Sequence, residues 1–158
     1  MEEQESKRIK TEQLAIKTVH IALILGVILF MVMVNFVLTD PSSPSIDETD
    51  DIFNFIVPGI AVLAFFGAKH LSKIPLKDIK DKDLLGKLAS YKSSLVVQLA
   101  FYQGAATFAI VATLLTNKHI FTSVALIMLV LMFMVRPTKE RMTAKLALTP
   151  EEVSRLKN

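Results

Sequence analysis

The chain of 158 residues contains no cysteine. That excludes structural disulfides, thiol catalysis, covalent haem attachment and a lipidated cysteine anchor, and it leaves the redox compartment open. No carboxylate, lysine or arginine lies at the centre of any apolar run. Proton-coupled transporters typically need a titratable group at membrane depth, so this lack argues against that chemistry. Also missing are a phosphate-binding glycine loop, a dinucleotide fingerprint, a nucleophile elbow and paired catalytic acids. The three histidines, His20, His70 and His119, fall in no metal-binding spacing. No catalytic residue, metal site or cofactor is assigned, and an enzyme is not expected. Positive charge is not interleaved with aromatics as on an RNA or DNA surface, so nucleic acid drops out of the expected partners.

What the chain does hold is apolar sequence. Hydrophobic residues make up 52% of it and the mean hydropathy is +0.48, more than a soluble domain needs to fill its core. Four apolar runs, at about 19–38, 52–68, 93–116 and 120–135, predict an all-α membrane protein. Its membrane domain (18–135) is expected to hold four transmembrane helices as two hairpins. The first run exceeds the length of a signal-peptide core and no small-x-small cleavage site follows it, so it reads as a retained span. Before it lies a polar segment, 1–17, with Thr11 as a candidate cap for a short helix leading into the membrane. Pro58 withdraws a donor from the carbonyl of Asn54 and predicts a bend early in the second span. Asp83 is placed to cap a helix that continues into the third. In the basic tail, 136–158, Thr149-Pro150-Glu151-Glu152 has capping-box form with proline at the first helical position, so a short amphipathic helix is expected there.

Charge sets the orientation. Connections 39–51 and 117–119 hold one of the 18 Lys and Arg residues, and the other segments outside the spans hold the remaining 17. By the positive-inside rule both termini are cytoplasmic, in the multi-pass topology of a bacterial inner-membrane protein. Membrane lipids are expected partners, since lysines in 69–92 and the basic tail attract anionic headgroups. The acidic loop with Asp47, Glu48, Asp50 and Asp51 lacks the ligand spacing and turn glycine of a calcium site and reads as solvated.

Residues 93–116 carry the densest polar and small side chains at membrane depth. Gln98 and Tyr102, four apart, share a helix face, and with Gln103 they form a candidate polar track for binding or passage. Gly104, Ala105, Ala109 and Thr113 are small residues suited to close helix packing, within the chain or between copies. Asn35 and Asn54 are placed to pair across the first hairpin, and His20 and His70 to approach each other at the inner interface. A faint repeat relates the hairpins: Gly26 and Phe30 in the first span match Gly104 and Phe108 in the third. Ile52-Phe53 and Ile120-Phe121 open the second and fourth.

The stretch Ala100-Phe101-Tyr102-Gln103-Gly104, with Phe108 beyond it, resembles the second helix of the proton-carrying ring subunit of rotary ATP synthases. Gln103 stands where that family has its proton-binding carboxylate, and an amide does not exchange a proton near neutral pH. The resemblance therefore implies close helix packing without proton carriage. The whole chain is similar to small four-span bacterial inner-membrane proteins, a kinship that implies no activity. The expected function is structural or accessory, through helix association with itself or with a larger membrane complex. The alternative is a small homo-oligomeric transporter or channel with a polar track on the third span.

Overall fold

The structure, a computed structural model, describes residues 2–38, 47–79, 81–146 and 148–157. It is all-α, 87% helical, with no strand among the described residues. Among the described residues six α-helices follow in order: α1 (Glu2–Met33), α2 (Asp47–Leu71), α3 (Leu84–Thr116), α4 (Ile120–Met134), α5 (Lys139–Leu146) and α6 (Pro150–Lys157). Three of them, α1 to α3, are long and apolar enough to cross a membrane. The fourth apolar helix, α4, has 15 residues, about 22 Å at 1.5 Å per residue.

The polar start of the chain does not form a separate segment. Ile9, Ile16, His20, Ile24 and Val27 are all buried, at helical spacing, so one face of α1 runs unbroken from the charged end into the apolar run. Thr11 caps nothing; its hydroxyl donates to the Lys7 carbonyl one turn earlier. A π-helical turn, Val34–Leu38, follows α1. Pro58 lies inside α2 and faces outward. Asp83 caps α3 as expected, its carboxylate accepting from the Gly86 amide at 3.1 Å. At the other end Asn117 adopts a left-handed conformation (φ 57°), the turn that lets a helix stop and reverse.

Helix α3 is the hub. Helices α1, α2 and α4 all pack against it, while α1 and α2 hardly touch each other. The two-hairpin arrangement is corrected for the first pair: α1 and α2 flank α3 instead of pairing. The physical reason lies in where the small residues are. Val57, Ala61, Ala64 and Ala68 form one buried face of α2, and Gly67 sits so close to the Phe101 ring of α3 that a Cβ there would come within 2.8 Å of it. Close approach to α3 is the contact that α2 is built for.

Helix α3 is about 50 Å long by its 33 residues, against roughly 30 Å of bilayer hydrocarbon. Its first turns, the more polar ones, are wrapped by the two chain ends. Lys92 pairs with Glu12 of α1 at 3.3 Å. Lys87 is held by both carboxylate oxygens of Glu152 on α6, at 2.8 and 2.9 Å. Met142 and Leu146 of α5 are fully buried, with Leu88 and Tyr91 of α3 in the same core, and Arg141 bonds the Met134 carbonyl at the end of α4. The start of α1, the start of α3 and the tail therefore lie at one end of the bundle. The α3–α4 turn lies at the other.

Candidate functional site

Two clusters of polar side chains include residues of the apolar part of α3. The first is Gln98 with Tyr102, both buried. The Gln98 amide donates to the Tyr102 hydroxyl over a long 3.5 Å, and its Oε1 is buried without a partner. Flipping the amide would let Tyr102 donate to Oε1 and orphan the NH₂ instead, so one polar atom is left over in either orientation. Gln103 lies about 100° further round the helix. It is half-buried, away from the Gln98–Tyr102 pair.

The second cluster, at the turn end, joins three helices. Asn35, in the π turn, donates to the Met31 carbonyl at 2.8 Å. Its side-chain oxygen accepts from Thr122 of α4 at 3.1 Å and faces His119 Nδ1 at 3.4 Å. Thr122 and Thr113 of α3 have their hydroxyls 3.1 Å apart, and Thr113 also reaches the Ala109 carbonyl at 3.1 Å. Each hydroxyl has one proton, so the three contacts share two donors. One of the three contacts therefore lacks a proton; with Thr113 donating to Ala109 and Thr122 to Asn35, it is the one between the two hydroxyls.

The expected Asn35–Asn54 pair is corrected by this cluster: Asn54 is exposed, because α2 lies across α3 from α1. His20 does not seek His70 either. It is buried and bonds the Met132 carbonyl of α4 through Nε2 at 3.0 Å, while His70 is exposed. The sequence did contain the signal for Thr122, which stands as far after the centre of the 117–118 turn as Thr113 stands before it. Antiparallel helices bring such positions together.

The four small residues singled out on α3 separate. Ala105, Ala109 and Thr113 are buried inside the bundle. Gly104 is exposed, with open space where a Cβ would stand, so it takes no part in packing within the chain. It belongs to a strip of exposed positions (Ala89, Ser93, Val96, Ala100, Gly104), repeating every three or four residues along one face of α3. The strip lies open because α1 and α2 do not close over it.

No protein-family model, curated protein or solved structure matches the chain. Its chemistry is accordingly that of its own groups. Amides and hydroxyls bond helices together or line a polar path, and the exposed His119 imidazole stands at the edge of the second cluster. The hard-cation reading of the acidic loop rests on the side chains of Asp47, Glu48, Asp50 and Asp51, which lie outside the described ones.

Proposed function

We propose that the chain is a multi-pass protein of the bacterial inner membrane, with α1 to α4 crossing it and both termini cytoplasmic. It acts as a structural or accessory protein, through helix–helix association with another copy or with a larger complex. The Lys87–Glu152 and Lys92–Glu12 bonds support the topology. They tie both chain ends to the start of α3, so if α3 crosses the membrane, α4 must return through it. At about 22 Å α4 is short for the hydrocarbon, a mismatch that local thinning and snorkelling of Arg136 and Lys118 absorb. The basic residues at that end support its cytoplasmic placement.

One observation carries the association reading: the open strip on α3. In lipid the drive for helices to meet is close van der Waals packing, and small side chains are what permit it. Here the central helix leaves a row containing Ala100 and Gly104 uncovered. Gly104→Leu is expected to release a partner, or to convert an oligomer to monomer, after extraction in mild detergent and mass spectrometry. Its Tm should stay at the wild-type value, since nothing stands where the new side chain begins. Ala105→Leu, inside the bundle, should lower Tm instead. Undiminished association of Gly104→Leu would refute the reading.

A transporter or channel has one observation in its favour, the buried Gln98 oxygen without a partner. In that reading Gln98 and Tyr102 line a path, with Gln103 off it, and Gln98→Leu abolishes flux in proteoliposomes while leaving assembly intact.

A further inference from the structure

We propose that a cleft where α1 meets the α4–α5 connection binds the phosphate of an anionic phospholipid headgroup. The cleft has a volume of about 240 Å³ and is lined by Lys17, His20, Ile21, Arg136, Pro137 and Thr138. It brings two cations together with no carboxylate among its walls. Neither Lys17 nor Arg136 makes a side-chain ion pair among the described residues, so the cleft holds a positive field that no described carboxylate pairs with. The Thr138 oxygen accepts the Arg141 amide at 3.3 Å, which leaves its hydroxyl proton free to donate. His20 is fixed as a wall. A carbonyl only accepts, so Nε2 must carry the proton it gives to Met132. An ammonium, a guanidinium and a hydroxyl converging on one space are the donors a phosphate takes.

The position selects a lipid over a soluble phosphate. Lys17 stands just before the apolar run of α1, and Arg136 just after the end of α4. The cleft is thus at the level where headgroups lie. Ile21, 56% exposed, forms its apolar wall, and Leu25, 51% exposed, continues the same face one turn deeper. A headgroup seated on the cations would lay its acyl chains along that face. The inference rests on the membrane placement proposed above and is independent of helix association.

The test is native mass spectrometry of the full chain released from nanodiscs containing phosphatidylglycerol and phosphatidylcholine. Lys17→Gln/Arg136→Gln is compared with Lys73→Gln/Lys77→Gln, which removes the same charge elsewhere. Wild type and the control should retain phosphatidylglycerol in preference. The cleft variant should lose about 30-fold in affinity, taking about 1 kcal/mol for each cation. The charge-conserving Lys17→Arg/Arg136→Lys should keep binding, which guards against a merely misfolded variant. Equal retention by the cleft variant and the control would overturn the site. Displacement of the lipid by millimolar inorganic phosphate would overturn the lipid as its source. Recovery of the chain in the soluble fraction without detergent would instead defeat the membrane placement.

Discussion

At the scale of single residues, the two polar clusters make opposite demands on stability. Asn35 is tied by its amide and by its oxygen to groups on α1 and α4. Removing it takes away one acceptor of the Thr122 hydroxyl and the side-chain tie between the turn after α1 and α4. Asn35→Leu should therefore cost about 1–2 kcal/mol, read as a fall in Tm in detergent. Gln98 has the reverse balance, with a long bond and a buried atom that makes none. Removing an unsatisfied buried group relieves its desolvation penalty, so Gln98→Leu should leave Tm unchanged or raise it. A loss as large as that of Asn35→Leu would mean that Gln98 has a partner outside this chain.

At the scale of elements, the tail helix α6 is a docked piece held by one dominant polar contact. The Lys87 side chain is only 8% exposed, and Glu152 is both its counter-ion and the capping residue of α6. Glu152 accepts the Thr149 amide at 2.8 Å and returns its own amide to the Thr149 hydroxyl at 3.3 Å. Burial acts to raise the Glu152 carboxyl, but the bonds from Lys87 and Thr149 outweigh it and hold the group below its usual range. The sign follows. A carboxyl depressed in the folded state contributes its full stability above the ordinary value near 4.3 and loses it as pH falls through the lower folded value. Docking of α6 should thus be pH-independent from about 5 to 8 and weaken below about 4. Amide hydrogen exchange in residues 150–157 would report it, and Glu152→Gln should open the same segment at neutral pH.

Much of this element layer was legible in the sequence and some was not. The capping box at Thr149, the Asp83 cap and the turn at Asn117 are local devices, written in adjacent residues, and the structure has all three. The seat of α6 on Lys87 was not legible, because it joins positions 65 residues apart. Nor was the reach of α1 back to Glu2. Ile9 and Ile16 show its buried face only once α3 is known to extend beside them. The Asn35–Asn54 pairing fails for a related reason: adjacency in sequence suggests that consecutive helices pack together, whereas the small face of α2 seats it on α3.

At the scale of the whole molecule, α3 stands at the centre and one strip of it lies open. The outer surfaces of α1, α2 and α4 carry large apolar side chains such as Leu29, Leu63 and Ile127, suited to lipid, whereas the open strip on α3 is made largely of small ones. That difference is the basis for expecting a helix there. Because the chain has no cysteine, a thiol-directed photo-crosslinker can be attached uniquely at Gly104→Cys and, as a control, at Leu63→Cys. Irradiation in native membranes should give a discrete protein adduct from position 104, either a second copy or one partner, and only lipid adducts from position 63. Lipid adducts alone from both positions would contradict the account.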